Sequence, residues 1–307
     1  MDTKKSNGAI IILGAVLCNF LFGTAVPMIK LGYGFFGITD NMFEKILFAG
    51  TRFFISGILV FIIAAIRRKG FPSVPKEKTP LILLHGFIYT FLQYAAMYVG
   101  LSLTSGTKTS VIGATNVFML IIASHFIYKN DKITSRKAMG SVLGFCGVII
   151  ALAGSGSYGE FSFIGDSLIF LTAAFFVAGS IIGKKITQTV DSFTMTAYNL
   201  LFGGFLLIVV ALFGGASFDT VNIKGILSLA YLIMVSSVAF TLWAILLSKA
   251  KAGNISVFSF VNTVTGTVLS ALIEGENILT LRWLTALTLL CCGIIIVNLR
   301  NSKTKNI

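Results

Sequence analysis

Apolar residues in this chain come in blocks. Apolar runs of roughly 20 residues recur along its length, separated by short segments that hold most of the charges. That is the length needed to cross a hydrocarbon core as helix. A transmembrane barrel would show short alternating segments instead. The pattern predicts ten spans, near 8–30, 44–66, 80–101, 107–128, 137–154, 163–183, 193–214, 223–247, 254–273 and 282–299. Most connections are short. The longest are 31–43 and 67–79, and the second holds two of the four prolines and reads as a loop. The first run follows two lysines, as a signal peptide would. It is long, lacks a clear small-x-small cleavage site and precedes further spans, so it reads as an uncleaved first helix.

Composition sharpens this picture. The chain has 307 residues, 56% hydrophobic and only 11% charged, against about 25% charged in soluble domains. A polytopic α-helical membrane protein is expected, with the bilayer as its surroundings and no room for a soluble catalytic domain. The net charge of +13 would suggest nucleic acid in a soluble chain. Here it has another source, because inner loops of membrane proteins collect Lys and Arg. With the N-terminus inside, inner segments hold 18 of the 24 basic residues; the other six are Lys30, Lys45, Arg52, Lys108, Lys224 and Arg282. Both termini are therefore expected inside, and no nucleic-acid partner is expected. Cys18, Cys146, Cys291 and Cys292 all fall in apolar runs without metal-ligand spacing and read as small packing residues. No cofactor or metal is implied.

The chain also repeats itself. Segments 110–116 ("SVIGATN") and 256–262 ("SVFSFVN") both open on Ser-Val and end on Asn, 146 residues apart. At that offset 81–150 and 227–296 share sixteen identities without a gap, among them Asn116/Asn262, Ser124/Ser270, Arg136/Arg282 and Gly147/Gly293. Each half then holds five spans, an odd number, so the halves enter the membrane in opposite directions. The basic linker "YKNDKITSRK" and its acidic copy "EGENILTLRW" agree with that. The expected fold is an all-α integral membrane protein of ten transmembrane helices, built as two inverted five-helix repeats, 1–154 and 155–307. Inverted repeats of this kind mark secondary transporters, with the site at the midplane between the halves.

Several segments resemble a known family. "FGTAVPMIK" (22–30) is similar to a first-helix Trp-Gly…Lys pattern, with Phe22 in place of Trp. "TRFFISG" (51–57) resembles a second-helix Arg-Phe signature. Segments 95–116 and 243–262 resemble the helix 3–4 hairpin and its second-half copy, and "LIEGENILT" (272–280) resembles a closing Gly-Glu. On these grounds the chain is identified as a member of the drug/metabolite transporter superfamily, EamA-type branch. It departs from the family at Val117 and Thr263, where Pro is common, and at Asn130, where an acid is expected. The resemblance implies transport of amino acids or other small metabolites across a cell membrane, a bacterial inner membrane by analogy, in the direction of export.

Polar side chains inside apolar runs are costly unless partnered, which makes them candidates for the pathway. Asn116 and Asn262 lead: they either hydrogen-bond a polar substrate or clamp helices together. Asn19 and Gln93 are further buried amides. Arg52 lies about a third of the way into the second span. It either holds a substrate carboxylate or is a structural cation satisfied by helix-end carbonyls or by Glu44. Lys30 ends the first span, where it snorkels or, by the resemblance, faces the pathway. Tyr94, Tyr98 and Trp243 lie within spans rather than in an interfacial belt, either lining a cavity or simply packing; Met97 and Trp243 are repeat equivalents. His85 and His125 stand alone and read as structural. The acids Asp40, Glu44, Glu160, Asp166, Asp219, Glu274 and Glu276 are expected at the outer face, so proton antiport through a buried carboxylate has no residue to carry it. The expected site is lined by spans one, three, four, six, eight and nine, and a single chain could be the functional unit. The rival, a lipid-modifying membrane enzyme, would need clustered acidic or His ligands near one face. The inner acids Asp2, Glu77, Asp131 and Asp191 lack such spacing.

Overall fold

The computed structural model describes residues 2–39, 41–104, 106–152, 162–218, 220–273 and 281–298. Among these residues the regular structure is helical, with no strand. The first half runs α1 (Asp2–Phe36), α2 (Met42–Arg68), α3 (Thr79–Gly86), a π-helical turn (Phe87–Leu92), α4 (Gln93–Ser102), α5 (Gly106–Gly113), α6 (Thr115–Ile127) and α7 (Ser135–Leu152). The second runs α8 (Phe163–Ile186), α9 (Ser192–Phe213), α10 (Ile223–Lys249), α11 (Ala252–Ile255), α12 (Ser259–Ile273) and α13 (Leu281–Asn298). The boundary placed at 154/155 lies outside the described residues, as do Asp40, Glu160, Asp219, Glu274 and Glu276.

Among the described residues, six helical runs are long and apolar enough to cross a membrane: Gly8–Phe36, Met42–Arg68, Lys76–Ser102, Phe163–Ile186, Ser192–Phe213 and Ile223–Lys249. The stretches expected as fourth and ninth spans are each interrupted. α5 gives way to α6 at Ala114, leaving Thr115–Ile127 as a shorter apolar helix, and α11 passes through a tight turn at Ser256–Phe258 into α12. Helix starts follow local chemistry. Asn41, Ser162, Asp191 and Asn222 each accept a hydrogen bond from a first-turn N–H of α2, α8, α9 and α10. Each such cap is worth about 1 kcal/mol.

The packing follows the internal repeat. Shifted by 146 residues, Ser135–Leu152 falls on Leu281–Asn298 end to end. α2 packs on α9 and α7 on α13, each on its own equivalent; α1 packs on α10 and α12 as α8 packs on α4, α5 and α6. Contacts between equivalents are what a two-fold relation between similar halves produces. Glycines permit the close approaches. A Cβ on Gly57 would meet Leu201 N at 2.6 Å, and one on Gly293 would meet Gly140 O at 2.5 Å. Gly140 of the second pair belongs to the small-residue run 140–147 of α7, the spacing that lets apolar helices touch backbone to backbone.

At one end of the bundle the halves are tied by charge. Asp131 is buried with Lys137, which donates to its Oδ1, while Gly253 N donates to Oδ2 at 2.8 Å. Nearby, Lys184 donates to the carbonyls of Leu247 (3.0 Å) and Ala250 and lies 5.6 Å from the Tyr128 ring centre.

Candidate functional site

Between the halves lies a cavity of about 100 Å³, several times what one water molecule requires. Its walls come from α1 (Asn19, Phe22), α2 (Arg52), α4 (Gln93, Tyr94, Met97), α5 (Thr109), α6 (Asn116), α8 (Thr172, Phe176) and α12 (Ser259, Asn262). Three pairs of lining residues are repeat equivalents: Val26/Thr172, Gly113/Ser259 and Asn116/Asn262. The cavity therefore straddles the relation between the halves.

Arg52 sets its electrostatics. Its residue is 1% exposed. Nε donates to Ser236 Oγ at 2.7 Å and Nη1 to Tyr98 Oη at 3.1 Å, and the guanidinium lies 4.9 Å from the Phe53 ring centre. Glu44 does not reach it; that carboxylate accepts from Asn41 Nδ2 at 2.9 Å. Neither do helix-end carbonyls appear among its hydrogen bonds. Among the described residues no carboxylate neutralises Arg52. A guanidinium has five N–H donors in a planar fork. Two hydroxyls engage Nε and Nη1, leaving further N–H donors, and the residue lines the cavity.

The opposite chemistry is also present. Gln93 Oε1, Thr109 Oγ1, Asn116 Oδ1 and Ser259 Oγ are buried without a protein partner, and all four residues line the cavity. Buried polar atoms are nearly always paired, and leaving one unpaired costs about 1–3 kcal/mol. Four such atoms, contributed by α4, α5, α6 and α12, belong to residues lining this one cavity. For Asn116 the absence of a partner for Oδ1 runs against a helix clamp. Asn19 is anchored within its own helix, its Nδ2 donating to Ala15 O at 2.8 Å. Phe22, Tyr94 and Phe176 supply an apolar remainder.

Six of the nine residues singled out from the sequence line this cavity: Asn19, Arg52, Gln93, Tyr94, Asn116 and Asn262. Tyr98 stands one step behind, holding Arg52. Trp243 stands behind Phe176, ring centres 5.3 Å apart, and donates Nε1 to Ser180 Oγ at 3.2 Å. α10 thus supports the site through Ser236 and Trp243 rather than lining it. Lys30, expected to end the first span, lies six residues inside α1, half-buried and outside the lining. Thr109, Thr172, Phe176 and Ser259 were not singled out. Ser259 and Thr172 had a signal in the repeat, as partners of Gly113 and Val26; Thr109 shared a helical face with Asn116, seven residues on. His125 is structural, its Nδ1 accepting from Ile133 N at 3.0 Å.

A family model described as EamA-like transporter family matches residues 9–153 and again 163–299. The chain belongs to the EamA-like transporter family. It is 28% identical over 283 residues to a Bacillus subtilis protein named "Uncharacterized transporter YetK", covering 89% of this chain and 82% of the relative. An Escherichia coli (strain K12) protein named "Probable amino-acid metabolite efflux pump" is 23% identical, covering 90% and 91% of the two chains. Another from the same organism, named an inner membrane transporter, is 24% identical over 94% of this chain and 90% of its own. A solved crystal structure aligns with a TM-score of 0.75 at 19% identity, covering 93% of this chain and 98% of that one, a likeness of fold. This member of the EamA-like family is accordingly a multi-pass membrane transporter, and its aligned relatives bear transporter names rather than enzyme names.

Proposed function

We propose that this EamA-like protein is a secondary carrier for a small zwitterionic or amphipathic metabolite, an amino acid or close relative, moved outward by alternating access. One observation carries the reading: a buried, carboxylate-free guanidinium and four unpartnered amide and hydroxyl oxygens share one cavity between the two halves. A carboxylate matches Arg52 by charge-assisted bonds. An ammonium group offers the three donors that Gln93 Oε1, Asn116 Oδ1 and the hydroxyls require. Phe22, Tyr94 and Phe176 suit an apolar side chain. In this reading the chain crosses the bilayer ten times as inverted halves with both termini in the cytoplasm, on the charge distribution, and the cavity lies near mid-depth. Export agrees with the name of the Escherichia coli relative.

The test is counterflow of a labelled amino-acid panel in proteoliposomes, with Asn116→Ala and Asn262→Ala beside the unaltered protein. Saturable exchange of at least one amino acid is expected, reduced tenfold or more in Asn116→Ala with the protein still monodisperse in detergent. No exchange of any zwitterion by the unaltered protein, or undiminished exchange by both variants, would overturn the assignment.

A further inference from the structure

A second cleft, of about 370 Å³, opens where the start of α7 meets the turn before α11 and the end of α13. Four of its lining residues are cations: Lys132, Arg136, Lys137 and Lys251; Ser135 and Asn254 add hydrogen-bonding groups, and among the described residues no lining residue is acidic. The neighbouring carboxylate, Asp131, is buried and already engaged by Lys137 and Gly253 N. Asp131 is thus taken up by Lys137, and the charges of Lys132 and Lys251 are not engaged by it. Lys132 and Lys251 are exposed.

What lies directly beneath is apolar and faces outward. Met139 and Val142 on α7 and Ile295 on α13 are exposed large hydrophobics within two turns of the cleft, and Val297 of α13 lines it. We propose that this cleft binds a phosphate group, and that its ligand is the headgroup of an anionic phospholipid whose acyl chains lie along α7 and α13. Clusters of Lys and Arg at the membrane boundary attract anionic lipid. A soluble phosphate would use the cations but would leave the adjoining apolar surface without a role. The site is separate from the central cavity, so it stands whether or not an amino acid is the substrate.

The test uses the full chain in neutral detergent, with lipid binding read by native mass spectrometry and by the shift in melting temperature. Three probes are compared: dioleoylphosphatidylglycerol, dioleoylphosphatidylcholine and inorganic phosphate. The double variant Lys132→Gln/Lys251→Gln removes two cleft charges. Lys129→Gln/Lys249→Gln removes two exposed charges that do not line it and serves as the matched control. Because Lys132 also donates to His125 O at 2.6 Å, Lys251→Gln alone is included. The expected result is preferential retention of phosphatidylglycerol over phosphatidylcholine, weakened roughly 10- to 30-fold in the cleft double variant. The control should retain binding, and Lys251→Gln alone should be intermediate. Equal binding of the two lipids, or equal weakening in cleft and control variants, would overturn the proposal. Stabilisation by inorganic phosphate matching that by phosphatidylglycerol would overturn its assignment to a lipid.

Discussion

Replacing Arg52 with Met tests the charge logic of the central cavity. Two opposing effects act on stability. The substitution strips Tyr98 Oη and Ser236 Oγ of the guanidinium they hold at 3.1 and 2.7 Å, at about 1–3 kcal/mol for each group left unpaired. It also removes a buried cation with no carboxylate partner among the described residues, whose desolvation costs several kcal/mol. The two nearly offset, so the variant should fold, with a net change within about 2 kcal/mol. Substrate binding has no such compensation. A carboxylate on two charge-assisted bonds loses about 3 kcal/mol or more, which is a factor of 100 or more in Kd. The assay is ligand-induced thermal stabilisation, with an amino acid that exchanges and with its decarboxylated amine. The unaltered protein should prefer the amino acid strongly, while Arg52→Met should bind both alike. Arg52→Lys should fall between, since it keeps the charge and loses the fork. If Arg52→Met still discriminates a carboxylate as the unaltered protein does, the guanidinium is structural and the zwitterion reading fails.

Two further outcomes concern the scaffold. Gly293→Leu sets a Cβ 2.5 Å from Gly140 O and should destabilise by about 1–3 kcal/mol; Gly34→Leu, with nothing within 4 Å of its Cβ position, should melt unchanged. Asp131→Ala leaves Lys137 buried without its acid and should cost about 3–5 kcal/mol, partly restored by adding Lys137→Met, as read from melting temperatures in detergent.

The class, the repeat and much of the lining of the central cavity are legible in the sequence, for a common reason. A bilayer makes polar side chains expensive, so Arg52, Gln93, Asn116 and Asn262 stand out against apolar runs and mostly end up where a cavity offsets that cost. The repeat is readable because identical residues recur at one offset, as Gly147/Gly293 and Asn116/Asn262 show. Less legible were features set by three-dimensional neighbours. Tyr98 and Trp243 are polar-tipped aromatics in spans, like Tyr94, yet only Tyr94 lines the cavity; which face a helix turns inward depends on partners far along the chain. The breaks at Ala114 and at Ser256–Phe258 fall in sequence that reads as continuous helix, because hydropathy does not register backbone hydrogen bonding. Thr109 and Ser259 were obscured because a hydroxyl can satisfy itself within its own helix, so its presence in a span carries little information.

The π-helical turn at Phe87–Leu92 has no counterpart: its repeat equivalent, 233–238, lies within the unbroken α10. If the halves exchange roles when access alternates, the two end states are not mirror copies. One packs a widened turn where the other packs regular helix. A free-energy difference of only about 1.4 kcal/mol would already be a tenfold preference for one orientation of the cavity, and one rearranged turn involves several hydrogen bonds of that order. In the proposed cycle, this irregularity makes the two orientations of the cavity unequal in packing at one matched position, 87–92 against 233–238.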